Sequence, residues 1–228
     1  MVWILVLVAV GALIYAPQWW AQRVIAQYSV PRVDIPQSGS EFAQSLIRHV
    51  ELEAVGVQVA APAQDHYDPR TREVRLSPSI HGGRSLAAVV IAAHEVGHAM
   101  QHQSGYWPLE LRTKLVLLSA KLEKLGSIAL IAMPILGLLT RNPRVSLLLG
   151  MVFIASMVSS VLVHLVTLPV ELDASFKRAL PYLRDVEYMR EKDLDGAQQI
   201  LLAAALTYVA QSLATLLNVW RWLRVLRR

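Results

Sequence analysis

The chain has 228 residues, of which 54% are apolar and only 17% charged, against roughly 25% charged in an ordinary soluble domain. That excludes disorder, which needs low hydrophobicity and high charge, and speaks against a conventional soluble domain. The chain carries no cysteine and a net charge of +5, so disulfides, thiolate zinc sites, cysteine nucleophiles and the usual iron–sulfur clusters are excluded and any metal must be held by His and carboxylate.

The basic residues flank apolar runs and form no aromatic-interleaved patch, which points to a bilayer as partner and to no nucleic acid. In chain order, the first charge-free stretch is Met1–Gln22, long enough to span a membrane. It has no basic residues before its apolar core, and the bulky Pro17-Gln18-Trp19-Trp20 stands where a signal peptide would place small residues; a retained transmembrane helix is expected over 1–22.

Residues 23–114 form the one long polar segment. Pro31, Pro36, Ser38 and Gly39 mark a loop. Ser40–Val55 has Phe42, Leu46, Val50 and Ala54 at helical spacing, with Gly56 as the expected stop. Val57–Ala60 alternates like a short strand. Asp65–Ser77 reads as a hairpin, with turn chemistry at Asp68-Pro69-Arg70 and alternation over Glu73–Leu76. A helix over Ser85–Gln101 comes next.

That helix contains His94-Glu95-Val96-Gly97-His98. Two histidines at i and i+4 share a helical face, so both imidazoles reach one ion. A neutral imidazole is a good zinc ligand. Glu95 at the same rim is placed to take a proton from water rather than to bind metal. Gly97 costs the helix about 1 kcal/mol relative to Ala, which predicts a close approach by another backbone or by substrate.

Three more charge-free stretches lie further along: Leu125–Thr140, Val145–Val170 and Gly196–Trp220. The shortest borrows the turn before it, where Lys121, Glu123 and Lys124 reach the interface, giving spans at 115–140, 145–170 and 196–220. Arg141-Asn142-Pro143-Arg144 makes the middle two a tight hairpin. A basic tail, 221–228, closes the chain. Counting Lys and Arg near the span ends places the long polar segment on the cytoplasmic side, although the tail pulls the other way.

A catalytic zinc keeps three protein ligands and an open position. A third His in the spacing HExxHxxGxxH is absent, because position 101 is Gln and 104 is Ser. Glu171, at the membrane end of the third span and read as the start of a further helix in a helix-and-loop segment over 171–195, is the expected third ligand. A capping role after Pro169 is the alternative.

The stretches HEVGHAMQH (94–102), DHYDPR (65–70), VRLS (74–77) and LPVELDAS (168–175) resemble the YugP-type membrane zinc metallopeptidases, which are gluzincin-like. The resemblance runs through most of the chain. It implies a mainly α membrane protein with about four transmembrane helices and a small α+β zincin-like catalytic domain, its short hairpin preceding the HExxH helix. It further implies one zinc ion on His94, His98 and Glu171, with Glu95 as base. Many gluzincins carry ExxxD at the third ligand. Here that offset holds Ser175, while Asp173 falls about 200° round an α-helix from Glu171, so Ser175 is expected behind a ligand His and Asp173 at a cap or on Arg178. His66, Tyr67, His102 and Tyr208 are further cleft candidates; Tyr67, His102 and Tyr208 are alternatives for stabilising an oxyanion. The expected function is a membrane-embedded zinc endopeptidase cleaving membrane or juxtamembrane proteins. An inactive zinc-binding scaffold and a zinc hydrolase of another amide bond are the alternatives.

Overall fold

A computed structural model describes residues 2–52 and 54–217, with side chains over 15–52 and 54–207. It is mainly helical with one three-stranded sheet. The chain divides into two compact units, Met1–Trp107 with Pro169–Thr207, and Pro108–Leu168 with Tyr208–Arg228.

In the first unit, helix α1 (Val2–Tyr28) leads through a loop to α2 (Gly39–His49). The start of α2 is a reciprocal cap: the Glu41 amide donates to Ser38 Oγ (3.3 Å), and Glu41 Oε2 accepts from the Ser38 amide (2.6 Å). The helix ends at His49, six residues short of the expected Val55. Glu51, not Gly56, takes the left-handed conformation (φ 56°). The Leu52 amide reaches back to the Ile47 carbonyl (3.0 Å) and the Glu51 amide to that of Arg48 (3.3 Å). With Leu52 and Ile47 both buried, the apolar contact of a Schellman end is in place and outweighs the missing glycine.

Strands β1 (Gly56–Val59), β2 (His66–Asp68) and β3 (Glu73–Leu76) pair in the order β1-β3-β2, β1 parallel and β2 antiparallel to β3. Tyr67 lies opposite Val74 and His66 opposite Arg75, so the hairpin read from the sequence forms. Asp65 fastens its base by accepting from the Ser77 amide (2.6 Å) and hydroxyl (3.1 Å). Helix α3 (Pro78–His81) is a single turn.

Helix α4 (Leu86–Gln103) is the centre of the unit. Ser85 caps it, accepting from the Ala88 amide at 3.2 Å. Fifteen of its eighteen residues are buried. Val74 and Leu76 of the sheet, Phe42 and Leu46 of α2, and Leu180 and Leu183 from the C-terminal part of the chain belong to the same apolar core.

In the second unit, α5 (Trp107–Thr140) and α6 (Pro143–Leu172) are joined by the short link at Arg141 and Asn142, with Arg141 at φ 51°. Among the described residues two helical stretches, Trp107–Thr140 and Pro143–Arg184, are long and apolar enough to cross a membrane. Only 17% and 11% of their apolar windows are buried, so they are not core helices of the usual buried kind. Ser119 Oγ lies 3.2 Å from Ser159 Oγ, and a side chain at Gly126 would strike Ser156. Small residues thus let the two backbones approach.

One expectation fails here. The chain does not begin a new helix at Glu171: Pro169 sits inside α6, and Glu171 lies in its last turn. The helix continues into a widened π turn (Asp173–Ala179), in which the Leu180 amide reaches the Ser175 carbonyl, and then into α7 (Leu180–Arg184). Helix α8 (Glu191–Leu217) closes the described chain.

Candidate metal centre

The site is built where α4 meets the end of α6 and the π turn. Gly97 makes that meeting possible. A Cβ on it would lie 2.7 Å from the Ala174 carbonyl oxygen, so only glycine lets the two backbones come this close. The expectation of a close approach at Gly97 is met by backbone.

His94, His98 and Glu171 are all buried and offer ligand atoms within 4.8 Å of one another. Glu171 Oε2 lies 3.1 Å from His94 Nε2 and 3.4 Å from His98 Nε2. The imidazole rings stand nearly perpendicular (78°), 4.7 Å apart.

The opposite ring nitrogens are held from behind. His94 Nδ1 lies 3.0 Å from Ser175 Oγ. His98 Nδ1 lies 3.0 Å from Gln101 Oε1. Gln101 is fully buried, and its Nε2 donates to the Val170 carbonyl (2.8 Å) and to Asp173 Oδ2 (2.9 Å). Both amide hydrogens are therefore spent, which leaves Oε1 as acceptor. His98 Nδ1 then carries a proton, which in a neutral imidazole leaves the lone pair on Nε2. Arg178 Nε donates to the same Asp173 oxygen at 2.8 Å, and the Arg178 guanidinium stands over the Tyr106 ring at 5.6 Å.

An imidazole lone pair aimed at a carboxylate oxygen is repelled unless positive charge joins them. Two imidazole nitrogens and one carboxylate oxygen, buried and pinned, suit a divalent cation of the zinc type. The donor set thus fits a metal ion.

Glu95 is buried beside this group. Burial pushes its carboxyl up to about 7, helped by the nearby Glu171 carboxylate; His94 and a backbone hydrogen bond from Tyr67 pull the other way. Glu95 therefore stands between its two protonation states near neutrality.

The chemistry of this donor set calls for a comparison with known proteins. Residues 2–227 match the family described as "Putative neutral zinc metallopeptidase". The chain belongs to that family. The curated "Putative membrane protease YugP" of Bacillus subtilis (strain 168) is 33% identical over 232 residues, covering 99% of this chain and 96% of the relative. No solved structure gives a significant match.

The remaining sequence candidates fall in different places. Ser175 meets His94. Asp173 pairs with Arg178 as expected but also reaches His98 through the Gln101 side chain, which spans from one to the other. Tyr67 and His102 join each other, Tyr67 Oη to His102 Nδ1 at 2.8 Å; His102 is half-buried. His66 is exposed and bonded to the Gln64 carbonyl (2.9 Å), apart from the cluster. The side chain of Tyr208 lies outside the described residues. Gln101 is the residue sequence reasoning missed. Its signal was a lone amide three positions after His98, on the same helical face.

Proposed function

We propose that the protein is a membrane-embedded zinc endopeptidase that cleaves peptide bonds of membrane or juxtamembrane proteins. One observation carries this reading: His94, His98 and Glu171 converge from two chain segments within 4.8 Å with the buried Glu95 beside them. His94 and His98 through Nε2, and Glu171 through a carboxylate oxygen, would hold one zinc ion. Zinc bound there supplies a Lewis acid that polarises the scissile carbonyl and acidifies water.

The chain's own groups do the rest. Glu95 accepts the proton of the attacking water at its carboxylate and returns it to the departing amine nitrogen. Its carboxyl, raised to about 7 by burial, is suited to both steps. Ser175 and Gln101 fix the imidazole rings through Nδ1, so that neither ring turns during the reaction.

A scaffold that kept zinc for structure alone would gain nothing from Glu95, whose buried carboxylate is a cost without a reactive partner. In this reading α1 and α8 join α5 and α6 as spans, giving the four helices 1–22, 115–140, 145–170 and 196–220. Residues 23–114 and 171–195 form the catalytic part. Glu171 directly follows the apolar stretch 145–170, which puts the site at a bilayer surface, on the cytoplasmic side by the charge count.

The test uses full-length protein in detergent, with casein and a membrane-protein substrate, with and without chelator. Glu95→Gln is expected to retain zinc and lose cleavage by about 100-fold or more. A Glu95→Gln protein that cleaves like wild type overturns the mechanism, and full zinc content in His94→Ala overturns the ligand set.

A further inference from the structure

One turn beyond the metal centre, α4 borders a cavity of about 220 Å³ whose lining includes Leu52, Val55, Tyr67, Arg72, Ala99 and His102. Glu95, Ala99 and His102 are spaced i, i+4 and i+7, so the cavity lies on the helix face that carries the proposed base. Ala99 is only about 6 Å along the axis from Glu95, less than two residues of extended peptide. Tyr67 ties the two places together: its backbone amide faces the Glu95 carboxylate, and its side chain lines the cavity on His102.

Among the described residues that line it there is no carboxylate, and Arg72 is the one charged group; Glu53, between the lining residues Leu52 and Ala54 in the sequence, lies outside the described residues. The acidic residues nearest Arg72 in the hairpin are already committed. Glu73 binds Arg75 at 2.7 Å, and Asp68 lies 3.9 Å from Arg75 while accepting from the Arg70 amide at 2.9 Å. No ion pair involves Arg72 among the described residues. Arg72 also occupies a left-handed backbone position (φ 56°), where glycine or asparagine is the relaxed choice. The Arg72 side chain is exposed, and its charge stands within electrostatic reach of Tyr67 at the rim of the cavity.

We propose that this cavity is a substrate subsite that takes a carboxylate, held by Arg72 with the Tyr67–His102 pair at its side, and that it makes the protein select peptides with negative charge within about two residues of the cleaved bond. The inference rests on the peptidase reading for its cleavage arm only. The carboxylate comes from an acidic side chain or from a free C-terminus.

Two measurements on full-length protein test it. In the first, fluorescent peptides bind to the Glu95→Gln form, read by anisotropy; they carry an internal Glu, an internal Gln, a free C-terminal carboxylate or an amidated one. Binding of one acidic peptide at least about fivefold tighter than its neutral counterpart, lost in the double variant with Arg72→Ala and weakened by salt, is the expected result. Whichever acidic peptide shows the effect identifies the source of the carboxylate. Equal binding of all four, or a preference that survives Arg72→Ala, overturns the proposal.

In the second, wild type and Arg72→Glu digest a mixed peptide library. Enrichment of Glu and Asp near the cut in wild type, exchanged for Lys and Arg in the variant, is expected. In a protein that does cleave, absence both of this enrichment and of a preference for cuts within about two residues of a free C-terminus overturns the subsite. A protein that cleaves nothing fails the peptidase reading, and the binding arm then decides the subsite by itself.

Discussion

Gln101 presents its carbonyl to His98 and its amide to Asp173, all within 3.0 Å. A neutral side chain thereby joins an imidazole to a carboxylate that is itself bound to Arg178. The Nδ1 edge of the imidazole is thus oriented without a bare negative charge in contact with it. Replacing Gln101 by Leu removes the acceptor and leaves the buried Asp173 oxygen and Val170 carbonyl short of a donor. Zinc affinity measured by chelator competition should fall about 10- to 100-fold. Unchanged affinity would show that His98 needs no such support.

Ser175→Ala tests the other imidazole. The hydroxyl 3.0 Å from His94 Nδ1 is lost with little change of volume, so the fold should stand. Zinc affinity is expected to drop, and by less than in Gln101→Leu, because one hydrogen bond is lost there against three at Gln101. Isothermal titration with zinc ranks the two variants; a larger loss at Ser175 would reverse the order argued from the number of hydrogen bonds lost.

Gly97→Ala pits two effects against each other. Alanine favours an isolated helix by about 1 kcal/mol. Its Cβ, however, would lie 2.7 Å from the Ala174 carbonyl oxygen, a backbone atom that has no side-chain freedom to move aside. Overpacking of this kind costs about 1–3 kcal/mol. The variant should melt at lower temperature than wild type and hold zinc more weakly, since Ala174 adjoins Ser175. A rise in melting temperature would mean that the two segments are not in contact.

The pH dependence of the metal-free protein is set by Glu95. Its carboxyl is raised from an ordinary 4.5 to about 7 by burial. The folded state therefore binds the proton more tightly than the unfolded chain. Glu95 costs nothing below pH 4.5 and imposes its full penalty above pH 7, so its contribution to stability declines as pH rises through that window. In chelated protein the melting temperature of wild type should fall relative to Glu95→Gln between pH 4.5 and 7. Parallel curves for the two proteins would refute the burial of a charge at this position.

Much of the site was legible because its signals are local or nearly so. The pair at 94 and 98 needs only a helix, and the hairpin at 66–76 needs only turn residues and alternation. Glu171 was legible as a partner because an apolar hairpin returns the chain to the same side. The helix end at His49 was not, because it depends on Leu52 packing against Ile47 and no glycine announces it. Gln101 was missed because its importance lies in Val170 and Asp173, about 70 positions away in the chain. The reading of Glu171 as a helix start failed because Pro169 reads as a breaker. A long apolar helix tolerates proline when neighbours absorb the lost hydrogen bond.

The widened turn over Asp173–Ala179 makes chain length a guarded quantity in this stretch, beside the side chains of Asp173, Ser175 and Arg178. A π turn is an α-helix carrying one surplus residue. Deleting any one residue there would heal the hydrogen-bond ladder and look harmless locally. It would also swing the downstream helix by about 100°, so that buried Leu180 and Leu183 could keep their seats only by dragging Ser175 off His94. Members of the family should therefore exchange the side chains here other than Asp173, Ser175 and Arg178 far more readily than they gain or lose a position.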